Sequence, residues 1–256
     1  MKEPLPTVER SLVIGAPPEI VFRYFTDSRR FAAWWGAGSE IDCRPGGGVR
    51  IRYPDGTVAS GEVVEADPPR RIVFTYGYEG EGKPIPPGGS RVTVELAPVA
   101  GGTHLSLRHE VPTEAIRDQH EQGWRYQLSV FANVVANEVH ADAGSRIDAF
   151  FEAWSETDDA RRRAALEAAA SPGVSFRDAF SCVVGLADLE PHLAAAQRFM
   201  PGMTLARTGE VRQCQGTAIA DWIARGPDGA ERGRGVNVFD FGPDGRITRV
   251  VGFWGS

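Results

Sequence analysis

Ile116, His120, Trp124, Leu128, Phe131, Val135 and Val139 recur at steps of three or four residues. That spacing keeps all seven on one side of an α-helix and predicts a long helix from about Thr113 to Val139. Arg117, Asp118, Glu121 and Arg125 fall off the stripe, so one side is apolar and the other wet. The sequence ahead of it, Ser39 to Val111, has a different period. Val49, Ile51 and Tyr53 alternate with Arg50 and Arg52; Ile72, Phe74, Tyr76 and Tyr78 share one face; Val92, Val94 and Leu96 alternate with Arg91, Thr93 and Glu95. Alternation of this kind, broken by turn residues, is the mark of an antiparallel meander with one apolar face. The helix should lie across that face, and a strongly curved sheet would leave a cavity beneath it. Thr7 to Gly15 reads as a further strand, and Ala16-Pro17-Pro18-Glu19 opens a helix, proline being tolerated in a first turn. Gly80 to Gly89 has too little apolar content to pack and reads as a mobile loop.

Two histidines fall on the cavity side. His109 shares a face with Leu105, Leu107 and Val111, while His104 falls opposite; His120 sits on the helix stripe. In an apolar hollow they would orient a ligand or move a proton; alternatively each satisfies a partner while packing. Trp35, Tyr76, Tyr78 and Trp124 would form a wall suited to an apolar or aromatic guest, or else belong to the core.

The polar stretch His140 to Ser145 divides the chain into an expected first domain, 1–140, and a second, 141–256. In the second, Ile147, Phe150, Phe151 and Trp154 make a helical stripe, and Ala160 to Ala170 a second helix. A third helix would have Asp188 as N-cap and Pro191 in its first turn. Strands follow at Thr204–Gln213, Thr217–Arg225, Gly235–Phe241 and Ile247–Trp254. Helices followed by an antiparallel sheet make an α+β cone. Val174, Phe176 and Asp178 share a strand face, as do Asn237, Phe239 and Phe241. Inside an apolar cone Asp178 would be a general base, its pKa raised by desolvation, and Asn237 a donor to a developing oxyanion. The competing reading has Asp178 bonding to a turn and Asn237 to a neighbouring strand. Trp222 is expected inward and Asp221 at the rim, with His192 and Arg207 as lip residues.

With 28 basic and 34 acidic residues the net charge is −6, which lacks the basic footprint of a nucleic-acid binder. Cys43, Cys182 and Cys214 are too few and too scattered for a disulfide framework or a zinc site. No metal-ligand spacing, phosphate loop, dinucleotide fingerprint or nucleophile elbow occurs, so no cofactor and no metal are expected. The first residues have no signal-peptide core, and no run of about 18 apolar residues occurs. The expectation is a cytoplasmic protein without a membrane partner.

Several segments resemble known families. Ile14-Gly15-Ala16-Pro17-Pro18-Glu19-Ile20-Val21, Trp34-Trp35-Gly36, Arg44-Pro45-Gly46-Gly47, Gly61-Glu62-Val63, Pro68-Pro69-Arg70-Arg71-Ile72-Val73-Phe74-Thr75 and His120-Glu121-Gln122-Gly123-Trp124 come in the order seen in heat-shock protein 90 ATPase activator homologues. These belong to the START-like (SRPBCC) superfamily. The resemblance implies a helix-grip fold with a hydrophobic ligand cavity. Eukaryotic members carry a further chaperone-binding domain in front, for which this sequence leaves no room, so a co-chaperone role ranks last. The second half resembles the SnoaL-like branch of the nuclear transport factor 2-like superfamily, on Val174-Ser175-Phe176-Arg177-Asp178, Met200-Pro201-Gly202-Met203, Val238-Phe239-Asp240-Phe241, Asp244-Gly245-Arg246-Ile247 and Gly252-Phe253-Trp254. By that resemblance Asp178 matches the base of ketosteroid isomerases, while Phe150 and Asn237 replace their oxyanion-hole tyrosine and acid. Phe150, Trp222 and Phe239 would line the second pocket, and dimerisation through the second domain's sheet is the family habit. Binding of a small hydrophobic or aromatic molecule is the leading expectation, ahead of a cofactor-independent cyclase, isomerase or dehydratase.

Overall fold

The computed structural model describes residues 4–255. It separates into two compact units, one up to Val135 and one from Ala136. In the first, β1 (Thr7–Ile14) leads into α1 (Pro18–Arg23) and α2 (Ser28–Trp35), then β2 (Glu40–Ile41), β3 (Gly48–Arg52), β4 (Val58–Asp67), β5 (Arg71–Tyr76), β6 (Ser90–Val99) and β7 (Gly102–Glu110), closing with α3 (Glu114–Val139). The seven strands form an antiparallel sheet in the order β1-β7-β6-β5-β4-β3-β2.

Local chemistry accounts for the element ends. Pro18 starts α1, where no intrahelical N–H is needed. Asp27 caps α2 by accepting from the Arg30 amide at 2.9 Å. Gly61 lets β4 run against β5, since a Cβ there would sit 1.8 Å from the Thr75 carbonyl oxygen. The expected stripe of α3 is the buried side. Phe131 packs solidly against Tyr24, Phe25 and Trp34 at ring-centroid distances of 5.7, 5.4 and 4.7 Å. Toward its start, His120 and Trp124 stand over the sheet instead. The loop from Gly80 to Gly89 differs from expectation: Ile85 is fully buried and its carbonyl accepts from the Tyr78 amide at 2.8 Å. One isoleucine is enough to pin a loop otherwise rich in glycine and proline.

The second unit runs α4 (Ala143–Ser155), α5 (Asp159–Ala169), β8 (Ala170–Arg177), β9 (Cys182–Val184), α6 (Leu186–Phe199), β10 (Thr204–Cys214), β11 (Thr217–Arg225), β12 (Glu231–Phe241) and β13 (Ile247–Trp254). Its sheet order is β10-β11-β12-β13-β8-β9, with β13 and β8 parallel. Phe150 and Phe151 of α4 meet Phe239 of β12 at 5.8 and 5.9 Å, edge to face, and this is the middle of the core. The fold is α+β throughout, a helix-grip unit followed by a cone of helices on a curved sheet. Asp188 is not the cap of α6. The helix starts three residues earlier, at Leu186 after Gly185 in a left-handed conformation (φ 87°), which places Pro191 inside the helix. A glycine adopts that conformation freely where other residues resist it.

Candidate functional site

A cavity of about 640 Å³ opens in the first unit between α3, the end of α2 and the sheet. α2 brings Trp35, β5 brings Tyr76 with Tyr78 just beyond it, β7 brings His109, and α3 brings His120 and Trp124. The cavity lining includes all six residues expected from the sequence. Tyr53 and Gln127 belong there too. The alternation with Val49 and Ile51 already put Tyr53 on the apolar face, and a weight on aromatic content would have chosen it. Gln127 carried no signal in the sequence: it is buried beside Leu128, its amide donating to the Trp34 carbonyl.

The deepest polar group is His109, fully buried. Its Nδ1 lies 2.9 Å from Trp124 Nε1 and its Nε2 2.8 Å from Ser90 Oγ, which lies 2.8 Å from the Tyr76 carbonyl oxygen. An indole N–H only donates and a carbonyl only accepts, so the chain has one direction. Trp124 donates to Nδ1, the Nε2–H donates to Ser90, and Ser90 donates to Tyr76. The ring is neutral in this arrangement. Burial, helped by the neighbouring His120, pushes its pKa down to about 3. Both nitrogens are occupied, so His109 positions the wall and offers nothing to a guest. Of the two sequence readings, the packing one describes its bonding.

His120 is different. Its Nδ1 lies 2.9 Å from the Ile116 carbonyl oxygen and its Nε2 3.2 Å from the Tyr78 hydroxyl. Burial lowers its pKa, opposed by the bond to Ile116. Tyr53 and Tyr76 join their hydroxyls at 2.7 Å, and burial raises both phenol pKa values. His109, His120, Tyr53 and Tyr76 are thus uncharged at neutral pH. Asp55 and Lys83, which also line the cavity, are exposed.

In the second unit, Asp178 and Asn237 both come close to Gly252. A methyl there would meet Asn237 Oδ1 at 3.0 Å and Asp178 Cβ at 3.2 Å. Asp178 is not on a strand. β8 ends at Arg177, and the carboxylate accepts from the Phe180 amide at 2.8 Å and from Trp254 Nε1 at 3.3 Å. It therefore closes a turn at a half-buried position instead of pointing along the apolar face. Asn237 is buried and its Oδ1 accepts from Trp222 Nε1 at 2.9 Å, which turns the NH₂ away from that bond. Trp222 is inward and Asp221 exposed. Phe150 and Phe239 are closed on each other in the core, so neither is the open pocket wall expected of them. His192 hydrogen-bonds Ser181 at 2.9 Å, and Arg207 pairs with Asp148 at 2.8 and 2.9 Å. Among the described residues no group of three or more His, Cys, Asp or Glu is placed to hold a metal, and no helix is long and apolar enough to cross a membrane.

A curved sheet gripped by one long helix over an aromatic cavity defines a helix-grip pocket domain. Residues 15–136 match the family described as Activator of Hsp90 ATPase homolog 1-like protein, so the match falls on the first unit. A comparison with curated proteins finds no match. Solved structures similar to parts of the chain include a SnoaL-like family protein from Agrobacterium tumefaciens str. C58 (24% identity, 46% of this chain and 99% of that one, TM-score 0.43). Protein CV1439 from Chromobacterium violaceum is 29% identical over 50% of this chain and 94% of its own, with a TM-score of 0.43. The Aha1 dimer from Colwellia psychrerythraea is 17% identical over 48% and 90%, with a TM-score of 0.42.

Proposed function

We propose that the first unit binds a small, uncharged, hydrophobic or aromatic molecule in the cavity under α3. The observation that carries this is an aromatic hollow of about 640 Å³ whose deepest polar group is held neutral and fully bonded. Apolar area removed from water supplies about 25 cal/mol per Å², and aromatic walls suit flat guests. A charged guest would lose hydration without a counter-charge inside. Naphthalene is a suitable probe. The wild type should retain it in equilibrium dialysis, and Gly123→Trp should not. Gly123 lines the cavity, and a Cβ there meets nothing within 4 Å, so the larger ring enters the hollow without displacing backbone. Failure of the wild type to retain naphthalene would refute the reading.

A second reading, an enzyme of the cyclase, isomerase or dehydratase type, draws support from Asp178 and the fixed amide of Asn237, both close to Gly252. Asp178 would take a proton from a carbon beside a carbonyl, and the Asn237 NH₂ would donate to the oxygen. Exchange of deuterium into 2-tetralone, followed by NMR, tests it: acceleration by the wild type and loss in Asp178→Asn support it, and equal rates in the two count against it. Association of two copies through the second unit's sheet is a further proposal, refuted by a monomeric mass in light scattering.

A further inference from the structure

The polar atoms on the cavity wall state what a guest must carry. His109 has both nitrogens committed, and the Tyr53 and Tyr76 hydroxyls share one hydrogen bond at 2.7 Å, with Tyr76 also hydrogen-bonding the Tyr78 hydroxyl. Tyr78 and His120 are not so settled. The Ile116 carbonyl can only accept, so His120 carries its proton on Nδ1 and presents Nε2 as a bare acceptor. That acceptor lies 3.2 Å from the Tyr78 hydroxyl, long for a bond donated by an O–H group. Both side chains line the cavity and both are half-buried.

We propose that the guest is an uncharged aromatic or alicyclic molecule bearing a hydroxyl group, and that this hydroxyl inserts between Tyr78 and His120. It accepts from the Tyr78 O–H and donates to His120 Nε2, replacing one long bond with two short ones. This rests on the reading of the cavity as a ligand site. The pair selects a hydroxyl because that group donates and accepts at one atom. A carbonyl or ether satisfies Tyr78 and leaves the His120 lone pair facing another acceptor. An aromatic amine donates to His120 and accepts poorly. An ammonium carries a charge into an interior without a partner for it. Leaving either wall group unpaired costs more than a hydrogen bond gains, which is where discrimination arises.

The test compares 2-naphthol with 2-methylnaphthalene, which is nearly the same size, by equilibrium dialysis. Water holds the naphthol better, so any preference for it must come from the site. The wild type should bind 2-naphthol at least about tenfold more tightly. Tyr78→Phe and His120→Phe, each checked for native circular dichroism, should reduce that preference to within about threefold while keeping 2-methylnaphthalene affinity. Equal affinity for the two probes in the wild type, or a preference that survives both substitutions, overturns the hydroxyl proposal and leaves the cavity reading standing. Retention of neither probe overturns both.

Discussion

Protonating His109 would set an N–H against the Trp124 indole N–H, breaking a bond inside a buried site. The consequence for stability has a definite sign. An unfolded imidazole titrates near 6.5, whereas the folded ring stays neutral down to about pH 3. Between those values the unfolded chain holds the extra proton. Stability is therefore full above about pH 6.5 and falls toward pH 3, by roughly 1 kcal/mol per pH unit. His120 and His140, both lowered by burial, act in the same direction. Urea midpoints at pH 7 and 5.5 should differ less in His109→Gln than in the wild type; parallel behaviour would contradict the assignment. Ser90→Ala leaves the His109 Nε2–H without an acceptor and should cost about 1–3 kcal/mol in the same urea assay. The face occupied by His109 was legible from its period with Leu105 and Leu107. Its partners were not, because Ser90 and Trp124 reach it from two other elements. Asp178 misled in the opposite way: the alternation from Val174 runs on through it, but an aspartate able to bond the amide two residues on ends a strand as readily as it continues one.

Elements behave as their packing dictates, and two glycines show opposite consequences. Gly123 sits within α3 with open space where a side chain would go. Gly123→Ala should stabilise the protein by about 1 kcal/mol, read as a higher urea midpoint. Gly235 pairs with Trp222 on one side and Trp254 on the other, whose rings meet at 5.0 Å. A Cβ there would lie 2.1 Å from the Phe253 carbonyl oxygen and 2.6 Å from Trp222. Gly235→Ala should destabilise by roughly 1–3 kcal/mol, with a loss of near-ultraviolet dichroism from the tryptophan pair; an unchanged midpoint would refute the close packing. The long stripe of α3 and the meander before it were plain from periodicity because burial on one side imposes it. The start of α6 was not. Asp188 has the chemistry of a cap, but the chain turns earlier at Gly185, where backbone conformation takes precedence over side-chain preference.

At the scale of the molecule, two units with separate cores differ in what they leave open. The first spends its aromatic residues on the wall of a hollow, the second on filling one: Trp35, Tyr76 and Trp124 line space, whereas Phe150 and Phe239 close it. Hydrophobic patterning reads the same in both cases, since a cavity wall and a packed core both demand apolar residues at the same period. The sequence pointed to a division at the polar stretch near 140, whereas the compact units part between Val135 and Ala136, inside α3. The central claim is that the hollow under α3 takes up an aromatic guest. Its most direct test is a crystal soaked with 2-bromonaphthalene and measured for anomalous scattering. The account predicts a bromine peak within van der Waals reach of Trp35, Tyr76 and Trp124; a bromine bound elsewhere, with ordered water filling that hollow, would contradict it.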